Sequence, residues 1–188
     1  MKIGIDVDDT LANTKDLITE YAIRYDKKYF RGKGIIHPEI YDLCGMFDWS
    51  REEKKQFMKE CIEEIADKVT VKENAAMVLT KLKEEGNEIY IITYRTTKRY
   101  KNPQKTTENW LLKHQIPYDK LIVNSGPKGI VCKNNKIDLL IDDNLEHCLD
   151  AINYNVDTLV FDSPYNRDKQ ELPRVSSWME VYEKLKRR

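Results

Sequence analysis

The chain has 188 residues, of which 34% are charged, and its 32 basic and 32 acidic residues balance to a formal net charge of zero. This length allows one domain with a substantial core and room for an insertion, and the charge balance argues against a broad nucleic-acid-binding or membrane-binding surface. No apolar run approaches the roughly 18 residues that span a bilayer, so we expect no membrane-spanning segment.

The N-terminus and the cysteines favour a cytoplasmic protein. Asp6 interrupts the first apolar stretch, so this stretch does not resemble a secretory signal region. The four cysteines, Cys44, Cys61, Cys132 and Cys148, form no CxxC pair and lack the spacing of zinc ligands. We therefore expect reduced thiols and a cytoplasmic location.

Strands alternate with helices along the chain, which predicts a parallel sheet covered by helices on both faces. Unbroken apolar segments such as Tyr90-Ile91-Ile92 are typical of strands that are buried on both faces. Five apolar runs are expected to be strands: residues 2–6, 88–93, 120–124, 137–141 and 156–161.

The predicted helices have recognisable ends. The segment Ser50-Arg51-Glu52-Glu53 is a capping box, which predicts a helix that extends to about Asp67. A second helix is expected to end near Gly86. Residues 106–114 are expected to form a third helix. A last helix is expected to open at Ser177 and to end in the basic segment 184–188, which suits the helix dipole.

About eighty residues separate the first two predicted strands, which is too many for one crossover helix. Within this span, residues 13–72 contain two helical stretches joined by an irregular part. We predict that residues 13–72 form a small helical cap over the edge of the sheet, while residues 1–12 and 73–188 form the core.

Acidic residues follow two of the predicted strands. Asp6, Asp8 and Asp9 come at the end of the first strand, and Asp142 and Asp143 follow the strand 137–141. Like charges this close raise one another's pKa unless a cation compensates them, and carboxylate oxygens suit Mg²⁺. Because ligands bind outside the carboxyl ends of parallel strands, the two strand ends predict one shared Mg²⁺ site.

Each residue taken singly has a simpler explanation. Asp8, Asp9 or Thr10 could cap the helix that follows them, and Asp142, Asp143 and Asn144 could cap the helix that starts at Leu145. Thr93, at the end of the strand 88–93, could bond to local backbone. Helix capping alone would rarely produce this combination of strand-end residues, so we interpret them as parts of one site.

These residues carry a family resemblance. The segment Asp6-Val7-Asp8-Asp9-Thr10-Leu11 resembles the DxDxT signature of the haloacid dehalogenase superfamily of phosphotransferases. Ile91-Ile92-Thr93 resembles its second motif, and Ile141-Asp142-Asp143-Asn144 resembles its fourth, acidic motif. Lys128 fits the lysine expected upstream of the fourth motif. With a helical cap after the first motif, the chain looks most like the 5'(3')-deoxyribonucleotidase type of nucleotidase.

The resemblance implies a Rossmann-like three-layer α/β fold and a Mg²⁺-dependent phosphomonoester hydrolase that forms an aspartyl-phosphate. Asp6 would attack phosphorus, and Asp8 would protonate the leaving alcohol and then activate water. Mg²⁺ would be bound by Asp6, by the backbone carbonyl of Asp8 and by Asp143, with Asp142 supporting these ligands from behind.

The same resemblance implies a set of phosphate-binding groups. Thr93 would donate a hydrogen bond to a phosphoryl oxygen, and backbone N–H groups near Asp8 and Asp9 would add further donors. Lys128 would offset the shared negative charge; Lys133 and Lys136 are alternatives, but the Gly-Pro turn before Lys128 suggests a helix start that faces the strand ends. Arg95 could contact the substrate or form a surface salt bridge.

A nucleoside monophosphate is the expected substrate, with no nucleic-acid or membrane partner. Other small phosphomonoesters such as sugar phosphates, or a binding protein that has lost its reaction, remain alternatives. Aromatic cap residues such as Tyr41 and Trp49 could stack on a base, although a small cap core is the favoured interpretation. His37, His114 and His147 show no catalytic pairing and are expected to be structural or exposed.

Overall fold

Six strands form the central sheet in a computed structural model that describes residues 1–167 and 172–187. Residues 168–171 of the predicted C-terminal loop, and Arg188 at the end of the last predicted helix, lie outside the described residues. The strands are β1 (Lys2–Ile5), β2 (Glu88–Ile92), β3 (Lys120–Ile122), β4 (Leu139–Asp142), β5 (Asp157–Phe161) and β6 (Arg174–Val175). All of them pair in parallel, in the order β3-β2-β1-β4-β5-β6.

The predicted α/β class and its parallel sheet are confirmed, but the predicted strand count of five is too low. The sixth strand, β6, has only two residues and extends the sheet beyond β5. A pair of residues is too short to show a periodic or continuous apolar pattern, so the sequence carried no signal for it.

Eight α-helices surround the described sheet. They are α1 (Thr14–Tyr29), α2 (Leu43–Met46), α3 (Arg51–Lys68), α4 (Ala75–Glu84), α5 (Pro103–Lys113), α6 (Lys128–Asn135), α7 (Leu145–Ile152) and α8 (Trp178–Lys186). None of the helices in the described part of the chain is long and apolar enough to cross a membrane.

Local capping explains where several helices begin. The Ser50 hydroxyl accepts a hydrogen bond from the Glu53 N–H, and the Glu53 carboxylate accepts one from the Ser50 N–H, so the predicted capping box is confirmed. Helix α5 begins at Pro103 rather than at residue 106, which corrects the predicted start. The Asn102 side chain accepts from the Lys105 N–H, and proline suits the first helical position because its missing N–H is not needed there.

Alternate residues of each central strand face opposite layers of helices. Ile89 and Ile91 are fully buried in the core shared with α4, α5 and α8. Tyr90 and Ile92 lie in a separate core with α6 and α7. The period of two along a strand therefore produces the three-layer arrangement, in which both faces of the central strands are buried.

The helices that follow β1 have a core of their own. Helices α1, α2 and α3 pack around an aromatic cluster in which Tyr25, Phe47, Trp49 and Phe57 are buried. The Trp49 indole N–H donates to the buried Asp26 carboxylate at 2.8 Å. We refer to residues 13–72 as the helical insertion; its function as a cap with these boundaries stays a prediction.

Gly129 allows α6 to approach α7 closely. A Cβ atom at this position would lie 2.5 Å from the carbonyl oxygen and 2.8 Å from the carbonyl carbon of Asp150, which are backbone atoms that cannot rotate away. The Gly129 N–H also donates to the Asp150 carboxylate at 2.6 Å. This contact fixes the first turn of α6, and with it the backbone of the neighbouring Lys128.

We expect Gly129→Ala to lower the free energy of unfolding by about 1–3 kcal/mol, because overpacking outweighs the better helix propensity of alanine. Urea-induced unfolding would measure the change. Asn134→Ala, at an exposed position of the same helix, is the matched control and should change stability by less than about 0.5 kcal/mol. An alanine variant as stable as the wild type would contradict the close-approach argument.

Candidate active site

A cavity of about 320 Å³ opens at the carboxyl ends of β1, β2 and β4, which are neighbours in the sheet. Ile5 is in register with both Ile91 and Ile141, so the residues that follow these strands emerge at the same level. Of the residues predicted for the site, the cavity is lined by Asp6, Asp8, Thr93, Arg95, Asp142 and Asp143.

Lys128 lies beneath this cavity, with its side chain fully buried. Its ammonium group is 2.5 Å from the Asp6 carboxylate and 2.5 Å from the Asp142 carboxylate. Burial opposes the charge of Lys128, but the two carboxylates raise its pKa above the ordinary value. Lys133 and Lys136 do not reach these acids; Lys133 lies over the Tyr154 ring instead.

The pKa of Asp6 is raised to about 7 because burial disfavours its charged form more than Lys128 favours it. Burial also acts on Asp142, yet Lys128 and His147 lower the pKa of this carboxyl. Within the network, Asp142 is therefore the ionised partner of Lys128. Asp6 is compensated only in part.

Asp143 is held on both oxygens. The Thr10 hydroxyl donates to Oδ1 at 2.9 Å and accepts from the Asp143 N–H at 3.0 Å, and the Tyr165 hydroxyl donates to Oδ2. Burial, followed by the charges of Asp142 and Asp6, raises the pKa of Asp143 well above its usual range. Asp143 and Asp6 are thus the acids of the network that are least compensated, and in the metal-free protein they hold a proton more readily than free carboxyl groups do.

Three of the carboxylates are arranged as metal ligands would be. One oxygen from each of Asp6, Asp142 and Asp143 lies within 4.8 Å of the others, and all three residues are buried. Lys128 compensates Asp6 and Asp142 directly, and His147 lies beside Asp142. A divalent cation would neutralise the negative charge that these described groups leave uncompensated. An all-oxygen ligand set fits a hard cation such as Mg²⁺.

Asp8 forms a bidentate ion pair with Arg95. The guanidinium donates to the two carboxylate oxygens at 2.7 and 3.0 Å, and the Thr14 hydroxyl donates to Oδ1 at 2.8 Å. Although burial alone would raise the pKa of Asp8, Arg95 holds it below the ordinary value. Arg95 is 2% exposed, and its buried Nη1 has no hydrogen-bond partner among the described atoms.

Thr93 and Asp9 occupy different positions relative to the cavity. Thr93 is buried at the end of β2 and lines the cavity. Asp9, whose φ of 65° is in the left-handed region, turns its carboxylate to the Lys15 N–H at 2.8 Å and the Tyr41 hydroxyl at 2.9 Å. The Asp9 carboxylate thus holds the helical insertion, and its predicted part in phosphate binding stays a prediction.

Further residues line the cavity: Tyr41, which the sequence offered only as a possible base-stacking residue, and Tyr165 and His147, which were not expected there. Tyr41 of the helical insertion and Tyr165 of the loop after β5 pack their rings together, with centroids 4.0 Å apart, and both line the cavity. His147, expected to be structural or exposed, lies there too, with Nδ1 3.2 Å from Asp142. The position of His147 in the first helical turn after the acidic motif could have predicted that it lies at the site. No comparable sequence signal marked Tyr165.

We expect Lys128→Met to lower the free energy of unfolding of the metal-free protein by about 3–5 kcal/mol, because it removes the cation from a buried network and leaves the acids uncompensated. Urea-induced unfolding would measure the loss. Lys133→Met, on the exposed side of the same helix, is the control and should change stability by less than about 0.5 kcal/mol. A similarly small change for Lys128→Met would show that the lysine is not required there.

The chain is similar throughout its length to known nucleotidases. A family model described as 5' nucleotidase, deoxy (pyrimidine), cytosolic type C (NT5C) matches residues 1–188. A putative nucleotidase of Bacillus subtilis is 26% identical over 185 residues, covering 96% of this chain and 91% of its own. A 5'(3')-deoxyribonucleotidase of the same organism is 25% identical over 185 residues, covering 97% of each chain.

Solved structures share the fold. A haloacid dehalogenase superfamily hydrolase of Geobacter sulfurreducens has a TM-score of 0.67 at 15% identity, covering 98% of this chain and 95% of its own. A haloacid dehalogenase-like hydrolase of Streptococcus pneumoniae has a TM-score of 0.68 at 14% identity, covering 98% and 97%. The three-layer arrangement is therefore that of this superfamily.

Proposed function

The chain belongs to the NT5C family of 5' nucleotidases, and we propose that it hydrolyses deoxyribonucleoside monophosphates through an aspartyl-phosphate formed on Asp6. As a member of this family it is a phosphoric monoester hydrolase, which confirms the resemblance of its motifs to the haloacid dehalogenase superfamily. We further propose the preferred sugar, the reaction mechanism, the metal and the role of each residue.

The observation that carries the mechanism is the position of Asp6. One of its oxygens is fixed by Lys128 at 2.5 Å, while the other receives no hydrogen bond from a described residue and lies at the cavity. A carboxylate that is held on one oxygen and free on the other is oriented for attack on phosphorus. The new P–O bond forms as the bond to the leaving alcohol breaks.

Asp8 is proposed to transfer the protons. Its ion pair with Arg95 favours the carboxylate, which is the form that takes a proton from water during hydrolysis of the aspartyl-phosphate. The acid form is needed first, when the alcohol leaves. Nη1 of Arg95 has no hydrogen-bond partner among the described atoms, which supports a contact between Arg95 and the substrate phosphate before the alcohol leaves. Such a contact would draw the guanidinium away from Asp8 and so allow Asp8 to take up a proton.

Mg²⁺ is the proposed metal, held by the side chains of Asp6 and Asp143 and by the backbone carbonyl of Asp8. When bound, it would neutralise the phosphate and the carboxylates and so allow a carboxylate to approach a dianion. Asp142 accepts a hydrogen bond from Lys128, which also donates to Asp6, so Asp142 would help to position Asp6 without binding the metal itself. Thr93 is proposed to donate a hydrogen bond to a phosphoryl oxygen, and Lys128 is proposed to offset the charge that the phosphate shares with Asp6.

The substrate proposal follows from the relatives. The family model names deoxy and pyrimidine compounds, and one relative is a 5'(3')-deoxyribonucleotidase. The balanced charge of the whole chain supports a small nucleotide, rather than nucleic acid or a membrane, as the partner. The description of the family as cytosolic supports a cytoplasmic location.

Phosphate release from nucleoside 5'- and 3'-monophosphates, in ribo and deoxy forms, and from sugar phosphates tests this proposal. We expect deoxyribonucleotides to rank first, and Asp6→Asn to lower kcat by on the order of a thousandfold or more because the nucleophile is lost. Asp16→Asn, which removes an exposed carboxylate from α1, is the matched control and should retain activity.

Two results would contradict the proposal in different ways. Turnover that survives Asp6→Asn would exclude Asp6 as the nucleophile. A sugar phosphate that ranks above every nucleotide would leave the mechanism intact and reject the proposed substrate.

Mg²⁺ should stabilise the protein more at pH 8 than at pH 5.5. Because the folded, metal-free protein keeps a proton on Asp6 up to about pH 7 and the unfolded chain loses it near pH 4, the free energy of unfolding falls as the pH rises through this window. Mg²⁺ binds the ionised carboxylates and reverses this loss. Thermal unfolding should show a rise in Tm of about 5 °C or more with saturating Mg²⁺ at pH 8.

Asp143→Asn should abolish this rise, whereas Asp16→Asn should retain it. An equal Mg²⁺ effect at both pH values, or one that persists in Asp143→Asn, would place the metal elsewhere.

A further inference from the structure

A second cavity of about 920 Å³ lies between the helical insertion and the loop that follows β2. It adjoins the active-site cavity, because Tyr41 and Arg99 line both. Ile18, Leu43 and Met58 contribute an apolar part of its wall. The chemistry proposed at Asp6 assigns no role to the charged groups of this space.

The wall of this second cavity is strongly basic. Seven lysine and arginine residues line it against a single acid, Asp42, which forms its ion pair with Lys54. The chain as a whole has no net charge, so this excess is local and does not follow from composition. We refer to this cavity as the basic cleft.

Helix α3 contributes a row of like charges to the basic cleft. Arg51, Lys55 and Lys59 follow one another at intervals of four residues, are exposed, and all line the cleft. Like charges at this spacing destabilise a helix. Two acids of the same helix are paired elsewhere, Glu53 with Arg31 and Glu64 with Lys68, while Glu60 attracts only Lys59 of the row among the charges that act on it.

The row continues across the cleft with Lys98, from the loop after β2. The side chains of Arg51, Lys55 and Lys98 form no hydrogen bond or ion pair with other described residues. Binding of a neutral nucleobase would not require this cluster of cations. A bound anionic group would pair with these side chains and relieve the repulsion between them.

We propose that the basic cleft binds a second phosphate group of the substrate, so that the preferred substrates are nucleoside bisphosphates. One phosphate lies at the acidic site, and the other lies among Arg51, Lys55 and Lys98. The inference rests on the proposed function, because it takes hydrolysis at Asp6 as given. Water cleaves the P–O ester bond of the first phosphate only, and the second phosphate leaves unchanged on the product.

The test compares kcat/KM for a deoxynucleoside 5'-monophosphate, its 3',5'-bisphosphate and a 5'-phosphorylated dinucleotide. We expect the bisphosphate to exceed the monophosphate by about tenfold, equivalent to about 1.4 kcal/mol, mainly through a lower KM. The double variant Arg51→Gln/Lys55→Gln should lose this advantage and keep its activity on the monophosphate. Lys27→Gln/Lys105→Gln, which removes two exposed charges outside the cleft, should keep the advantage.

Equal kcat/KM values for mono- and bisphosphate in the wild type, unchanged in the double variant, would overturn the proposal. An advantage for the dinucleotide as large as that for the bisphosphate, or larger, would also overturn it, because the recognised group would then be a phosphodiester.

Calorimetric binding of the bisphosphate to Asp6→Asn protein separates this proposal from the proposed function. Tighter binding than the monophosphate, lost when Arg51→Gln/Lys55→Gln is added, supports the basic cleft even if no substrate is turned over. If monophosphates are hydrolysed but the bisphosphate binds no more tightly, the cleft proposal fails and the proposed function stands.

Discussion

The candidate site depends on one buried cation. Lys128 is in contact with both Asp6 and Asp142 at 2.5 Å, and its side chain has no exposed surface. Buried charges are costly unless they are paired, and here a single ammonium group partly compensates several carboxylates. The remaining excess falls on Asp6 and Asp143, whose pKa values are raised. This imbalance, which is costly for the folded chain, would favour the binding of a cation.

The strand order of the sheet determines where these acidic residues lie. Because β1 lies between β2 and β4, the residues that follow these three buried strands emerge side by side at one edge of the sheet. Hydrogen bonds then fix the individual acids, as with Thr10 on Asp143 and Arg95 on Asp8. The helical insertion also contacts the site, because the ring of its Tyr41 packs against the ring of Tyr165. The site is therefore held from the core and the insertion together.

The sequence predicts those features that depend on neighbouring residues. Continuous apolar segments predict β1 to β5, and acids directly after Ile5 and Ile141 predict where the charge gathers. The pairing of Lys128 with Asp6 was anticipated from a Gly-Pro turn and a family motif. In contrast, β6 is too short for a pattern, and Tyr165 reaches Asp143 through a loop whose course depends on tertiary packing. The ion pair of Arg95 with Asp8 depends equally on that packing.

The link between Thr10 and Asp143 has a consequence for synthesis on the ribosome. These residues are 133 positions apart, and β1 can pair with β4 only after β4 has been made. At roughly 5–20 residues per second, one edge of β1 and its acids stay without these partners for on the order of ten seconds. Early chains therefore expose an apolar strand edge beside uncompensated carboxylates, whose mutual repulsion discourages association between nascent chains.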